Sequence, residues 1–518
     1  MDELLKIRTE DEIQVDVLTL FDADALSLEE PARKTLSISL KRIREWQASP
    51  GLSEDLWALR KADASTSSLL FGSLSFNLRA TPQDGITELV LSLWYQGQPI
   101  GEIPVPVCVA PAADVEAECG PHPNHVSSLA GPILGALPAE LPSRPDAALH
   151  FMDLFGGHPY GVFWCEHCSD PGYHTWPLKE QTAEELAKLL REHIRQSTGA
   201  KEAVRTSGLV LYNALFPKPV RLSERLKPND TARDRSRALA REAFARFLSD
   251  RLQHANVAGP TPRIFVRFAY GKDGDLLPIP LGLLDVDDVI HEPDVWDDAA
   301  LEEDHLLGFL YAIENPLPLR FPHRGDACIS RFKASLPNDG DQTLNDAIAL
   351  VEEPDRLGGA IDDLGAWLAA GEEEEPLCLT LLSHHDADHG TLYSHAGGPV
   401  VTALGIDHGF ASPSLVVIDA CSSGHGETQS FAERFNRTGV SSVITTNADI
   451  APDLAGRFLN CFRAELAGAT ESRSINEVFY KTLHCARAGD NNARQGWRAL
   501  SFLLVGDGDL RFCKPEGA

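Results

Sequence analysis

Apolar positions change their rhythm along this chain. Near the start, Ile13–Leu20, Ser68–Phe76 and Thr87–Trp94 mix alternation with continuous apolar stretches and predict strands, and a helix is expected between them from Glu30 to Gln47. Pro104–Pro145 is rich in Ala, Pro and Gly and predicts a linker, which places a domain boundary between 145 and 146. Beyond it the helical period takes over. Thr182-Ala-Glu-Glu185 is a capping box, with Leu186, Leu189, Leu190 and Ile194 following at helical spacing. A second helix is expected from Thr231 to Leu252, with Leu239, Phe244, Phe247, Leu248 and Leu252 as its apolar stripe.

The last third alternates strands with helices. Leu306–Ile313 and Ala327–Phe332 predict strands and Gly358–Leu368 a helix. Leu377–Leu382 and Leu415–Asp419 are short, continuous apolar runs of the kind that lie inside a parallel sheet covered on both faces. A helix from Thr428 to Arg437, a strand over Val440–Thr446, helices from Asp453 and Ser474, and a final strand at Ser501–Val505 complete the pattern. The fold class expected is α/β, a mostly parallel sheet flanked by helices, with a strand-rich N-terminal domain. Residues 1–145 would form that domain and its linker, with no role assigned. Residues 146–518 would form the larger domain, 146–330 supporting and 331–518 catalytic.

Composition narrows the function classes. The chain has 518 residues, is 43% hydrophobic and carries a net charge of −30, so it is globular rather than disordered and repels phosphate backbones and anionic membranes. Six arginines (233, 235, 237, 241, 246, 251) sit on the second helix, but Asp234, Glu242 and Asp250 between them make an ion-paired face rather than a nucleic-acid surface. Neither a signal peptide nor a membrane span is visible, so a cytoplasmic location with no membrane partner is expected. The ten cysteines are spread without a tight framework and read as free thiols in a reducing compartment, those at 378, 461, 485 and 513 as buried small hydrophobes. Cys119 and His122 with Cys165 and Cys168 could supply two zinc-ligand pairs, but their loose spacing favours no metal. The acidic runs 285–304 and 372–375 lack a calcium-loop signature. No cofactor is called for.

Two buried strands run directly into reactive residues: Leu377–Leu382 into Ser383-His384-His385-Asp386, and Leu415–Asp419 into Ala420-Cys421-Ser422-Ser423-Gly424. Sites in open parallel sheets gather beyond the carboxyl ends of strands, so neighbouring strands would bring His384 and Cys421 to one rim. A thiol needs such a base to become a nucleophile, and the imidazole can then protonate a leaving amine. The small residues after Cys421 leave backbone N–H groups free to face an oxyanion.

The joint order strand–Ser–His, then strand–Asp–x–Cys–x–Ser–Gly, resembles the caspase-like cysteine peptidases, and more narrowly the bacterial CHAT family related to caspases and separase. The resemblance covers about residues 146 to 515, through Gly208–Pro217, Asp275–Leu284, Val416–Gly424, Gly439–Thr446 and Trp497 leading to Phe502–Asp507. It implies a Cys/His dyad endopeptidase with Cys421 as nucleophile and His384 as base, and an oxyanion hole from the backbone N–H groups of His385 and Cys421. Where the family shows His-Gly this chain has His384-His385, with His389-Gly390 further on, so His385 and His389 stay open as bases. Asp419, two residues before the cysteine, matches relatives that cut after Arg or Lys, since a carboxylate would bind a basic side chain; a structural cap is the other reading. The resemblance also implies a protein substrate and a role in bacterial defence or programmed death; since an unregulated cytosolic protease would be harmful, gating by a partner or ligand through the N-terminal domain is expected. An inactive scaffold that keeps the fold, and a redox or metal protein built on Cys165 and Cys168, are the competing classes.

Overall fold

The computed structural model describes residues 12–21, 26–28, 33–39, 74, 76–80, 85–95, 98–109, 145–154, 158–166, 168, 171–178, 201–218, 228–254, 262–270, 275–276, 279, 281–291, 303–316, 328–336, 342–361, 363–386, 391–393, 400–421, 423, 431–467, 471–488 and 496–513. They fall into two compact units, one of residues 1–144 with 219–236 and one of 145–218 with 237–518.

The first unit holds an antiparallel sheet of β1 (Glu12–Phe21), β2 (Arg33–Ser39), β3 (Gly85–Tyr95) and β4 (Gln98–Val109), in the order β2-β1-β3-β4. β2 corrects the helix expected from Glu30. Leu36 and Ile38 alternate with Thr35 and Ser37 at the strand period, and Thr35 and Arg33 both donate to the Asp16 carboxylate across the pair. β4 runs through Pro104 and Pro106, so the linker expected from Pro104 begins later. Proline lacks an amide donor and is tolerated there because β4 is an edge strand. The strand expected at Ser68–Phe76 and the helix expected after Thr182 lie mostly or wholly outside the described residues.

The second unit is built on one long sheet. Its elements are β5 (Ala147–Leu154), β6 (His158–Cys165), β7 (Gly172–Pro177), α1 (Lys201–Leu215), the part from Arg237 onward of α2 (Pro228–His254), β8 (Arg263–Tyr270), β9 (Ala312–Asn315), β10 (Arg331–Ser335), β11 (Gly359–Ala360), β12 (Leu377–Leu382), β13 (Leu415–Asp419), α3 (Phe431–Arg437), β14 (Ser442–Thr446), α4 (Pro452–Ala467), α5 (Ile475–Ala488) and β15 (Phe502–Gly506). The strand order is β11-β10-β12-β13-β14-β15-β9-β8-β5-β6-β7. β11, β10, β12, β13 and β14 are mutually parallel, β15 reverses direction, and β15, β9, β8 and β5 are again parallel. This is the α/β, mostly parallel architecture that the alternating pattern predicts.

Alternation along β12 and β13 sorts their side chains between two cores. Cys378, Leu382, Leu415 and Val417 pack with α4 and α5, while Leu379, Leu381, Val416, Ile418 and Ala420 pack with α3. Both faces are covered, which is why these strands are apolar throughout. In the supporting half, Phe151, Trp176, Phe216 and Phe244 form an aromatic cluster. Gly161 makes room for it, since a Cβ there would lie 2.3 Å from the Trp176 ring.

The arginines of α2 serve that packing. Arg237 donates to the carbonyls of Pro177 and Leu178, Arg241 donates to the Phe216 carbonyl and lies over the Tyr212 ring, and Arg246 pairs with Glu242. Leu239, expected in the buried stripe, is 50% exposed. Two further expectations are corrected. Leu306–Ile313 is a helical turn, Leu307–Leu310, leading into β9, because Leu306 bridges Asp285 and the chain must turn before joining the sheet. Gly358–Leu368 splits into β11 and a helix capped by Asp363, with Gly358 at φ +144° against the β10 backbone.

The cysteines are also corrected. Cys165–Cys168, Cys328–Cys513 and Cys461–Cys485 are paired as disulfides, leaving Cys378 and Cys421 free among the described residues. Their sequence separations of 185 and 24 residues for the second and third hide what the fold does. A strand at Cys328–Ile329 pairs with Arg511–Phe512, and α4 packs on α5. Among the described residues, no helix is long and apolar enough to cross a membrane.

Candidate active site

The parallel strands β10, β12, β13 and β14 present their carboxyl ends at one rim. β12 and β13 are in register from Cys378 opposite Leu415 to Leu382 opposite Asp419, and Ser383 N–H extends the ladder to the Asp419 carbonyl. His384 and Cys421 each stand two residues beyond the last paired position. Past it the chains diverge. His384–Asp386 folds into a small antiparallel sheet with Thr391–Tyr393, pinned by the Ser383 hydroxyl on the Tyr393 carbonyl, while Ala420–Ser423 turns back toward β14.

The two histidines are used differently. The His385 ring donates from Nδ1 to the Cys421 carbonyl at 2.6 Å and meets the edge of Phe431 at the start of α3. The His384 ring lies 5.4 Å from that of Tyr393, its cross-strand neighbour. The Cys421 thiol, half-buried, donates to the Ile450 carbonyl at 3.6 Å, and Ile450 belongs to the α4–α5 core, the face opposite Phe431. His389 lies outside the described residues.

Burial is the main cause that pushes the Cys421 thiol up, and the Asp449 carboxylate pushes the same way against the hydrogen bond to the Ile450 carbonyl. A thiolate therefore forms only with a base or cation at hand. Asp419 is fully buried, burial raises its carboxyl to about 8, and neither of its oxygens has a hydrogen-bond partner among the described residues. The structural cap considered for it would have used those oxygens.

A hydroxyl network not visible in the sequence holds the turn that carries Cys421. Thr446 Oγ1 donates to the Ala420 carbonyl and accepts from the Ser423 amide at 3.2 Å, while the Ser423 hydroxyl meets Thr445 Oγ1 at 2.7 Å and accepts from the Thr446 amide. The one signal was two threonines closing a buried strand, where a β-branched residue suits the sheet whether or not its hydroxyl is used.

Metal chemistry has little purchase here. Cys165 and Cys168 are bonded to each other, so they offer no thiolate pair to zinc, and Cys119 and His122 lie outside the described residues. Asp285, Asp287 and His305 have donor atoms within 4.8 Å of one another in the supporting half. His305 Nδ1 is already engaged with Asp287 at 2.6 Å, and Asp285 accepts from the Asp287 amide.

No protein-family model matches the chain, and no curated protein matches it. Among solved structures, it is similar to a complex of the pro- and mature domains of Porphyromonas gingivalis RgpB, with 12% identity, a TM-score of 0.33, and 52% of this chain and 69% of that one covered. It is similar to the Arg-specific cysteine proteinase gingipain R, with 11% identity, a TM-score of 0.31, and coverage of 53% and 68%. It is also similar to the Saccharomyces cerevisiae separase–securin complex, with 9% identity, a TM-score of 0.29, and coverage of 71% and 30%. At these scores the likenesses carry no argument about activity, and the reading of the rim rests on its own geometry.

Proposed function

We propose that this protein is a cysteine endopeptidase that cleaves a protein substrate after Arg or Lys. The carrying observation is the register that ends β12 and β13 together, leaving His384 and Cys421 two residues beyond the same paired position, with a buried carboxyl at Asp419 that has no hydrogen-bond partner among the described residues. The thiol proton passes to the His384 imidazole, and the sulfur attacks the substrate carbonyl carbon while the N–H groups of His385 and Cys421 hold the oxyanion. The tetrahedral adduct collapses, the imidazolium gives its proton to the leaving amine, and the acyl-enzyme remains. Water, deprotonated by the same imidazole, then releases the acid and restores the thiol. A role in bacterial defence or programmed death extends the reading by the resemblance to the CHAT family, and gating by a partner or ligand acting through the N-terminal unit follows from the harm an unregulated protease would do.

The test is mass spectrometry of new protein termini in a lysate incubated with the wild type and with Cys421→Ala. Termini preceded by Arg or Lys, absent with the variant, are expected; the same termini with both, or a preference for Asp at that position, would overturn the reading. A scaffold without turnover is the second reading, favoured by the hydrogen bond of the thiol to a backbone carbonyl. It predicts no difference between the two lysates.

A further inference from the structure

Every hydroxyl of the Ser423–Thr445–Thr446 network at the rim is hydrogen-bonded. Two side chains beside them are not. Asp419 is 0% exposed and Asn447 is 1% exposed, and neither carboxylate oxygen of the first nor the amide nitrogen or oxygen of the second has a hydrogen-bond partner among the described residues. β13 and β14 pair in parallel with Val417 opposite Ile444, so continuing that register sets Asp419 opposite Thr446, with Asn447 next in the chain. The Asn447 backbone is fixed there by its N–H on the Ser501 carbonyl at 2.9 Å. Leaving a buried polar group unsatisfied is costly. A chain that retains four such atoms at the end of β13 and just past the end of β14, next to its nucleophile, is holding them for a ligand.

We infer that Asn447 is a second specificity residue beside Asp419 and that the two together receive an arginine guanidinium, in preference to a lysine ammonium. The inference deepens the peptidase reading and rests on it for the substrate's being a peptide. A guanidinium carries five N–H donors in a planar fork. Two can go to the carboxylate in a bidentate pair and a third to the amide oxygen of Asn447. The amide nitrogen then has the outer lone pairs of the same carboxylate, or the substrate's own carbonyl, as acceptor. An ammonium has three donors but no planar fork, so it cannot give the carboxylate the bidentate pair while also meeting the amide oxygen.

Two measurements on the full chain test this. The first is binding of agmatine, a guanidinium, against cadaverine, an ammonium, by calorimetry. Wild type is expected to prefer agmatine, Asp419→Asn to lose it, and Asn447→Leu to bind it about tenfold or more weakly, the size expected for one hydrogen bond to a charged group. The second is kcat/KM on matched Arg and Lys peptides. In Asn447→Leu the Arg/Lys ratio is expected to fall about tenfold, chiefly through KM. Without ligand, Asn447→Leu is expected to melt no lower than wild type, because an apolar isostere removes unsatisfied atoms; a structural amide would give the reverse. Should the leucine variant not fold, Asn447→Ala gives the same binding and kinetic readings. Agmatine binding that depends on Asn447 supports the inference even if no peptide is cleaved, and only the peptidase reading then falls. Cleavage with an unchanged Arg/Lys ratio, or agmatine binding unchanged in the variant, overturns the inference and leaves the peptidase. Neither binding nor cleavage overturns both.

Discussion

Asp419 buries a carboxyl group with no exposed surface and no hydrogen-bond partner among the described residues, and its replacement by asparagine isolates what that costs. Burial raises its pKa from 3.8 to about 8. The unfolded chain releases this proton near the ordinary value, while the folded chain keeps it until near pH 8. Between those limits the folded state binds more protons than the unfolded one, so stability falls as pH rises. The contribution is fully present below about pH 4 and is lost as pH passes through about 8. A window of roughly four pH units, at about 1.36 kcal/mol each, sets a ceiling on the order of 5 kcal/mol, which relaxation of the rim and entry of water reduce. Asparagine has the shape of the protonated form and does not titrate. Urea-unfolding free energies are measured for wild type and Asp419→Asn between about pH 5 and about pH 8.5. The variant is expected to gain on wild type by several kcal/mol across that range, with the gap smallest at the acid end. Parallel pH profiles would refute the reasoning, since they would mean that the carboxylate is already solvated or paired. Agmatine added at the alkaline end is expected to flatten the wild-type profile, because a guanidinium gives the charged form a partner.

Three further outcomes follow from the same geometry. His384→Ala is expected to lower kcat on an arginyl peptide by about 10²–10⁴-fold, the usual worth of a general acid–base group, while His385→Gln, which can still donate to the Cys421 carbonyl, loses far less; equal losses would remove the assignment of the base. Thr446→Val keeps the shape of the strand end but drops the bond to the Ala420 carbonyl and orphans the Ser423 amide, so a loss of about 2–4 kcal/mol in unfolding free energy, two terms of about 1–2 each, with a reduced kcat is expected from urea titration and steady-state kinetics. Reduction of Cys328–Cys513, which closes a loop of 185 residues, is expected to lower stability by up to about 5 kcal/mol on chain-entropy grounds, read as a fall in melting temperature of wild type in dithiothreitol that Cys328→Ser with Cys513→Ser reproduces without it.

What could be read from the sequence divides along a physical line. β12 and β13 were legible because strands covered on both faces are apolar at nearly every position. Where a segment is covered on one side the period is weaker. Arg33–Ser39 carries charge at its start and reads as helix until β1 supplies the partner that makes alternation worth more than propensity. Leu306–Leu310 is apolar for the same reason as a buried strand, yet it is a helical turn, because apolarity reports burial and only length separates the two conformations. The cysteine pairs were illegible in principle, since two of the three are made by packing between elements distant in sequence.

The rim itself repeats this division. His384, Cys421 and Asp419 were found because each ends or follows an apolar run, so the run pointed at them. Thr446 and Asn447 end a strand too, but Val440–Thr446 is rich in hydroxyl residues, and a buried hydroxyl that is satisfied looks the same in sequence as one that merely tolerates a strand. Satisfaction separates them in the structure. Thr446 spends its hydroxyl on the backbone of the turn carrying Cys421, so it can hold that turn but has nothing left for a ligand. Asp419 at the end of β13 and Asn447 just past the end of β14 have no side-chain hydrogen bond among the described residues. Stability alone would have removed two such groups from a core this well packed, since an apolar residue of the same size would cost less. Their retention beside the sulfur is therefore an argument about what the rim holds, and the pH profile of Asp419→Asn and the peptide preference of Asn447→Leu each test one half of it.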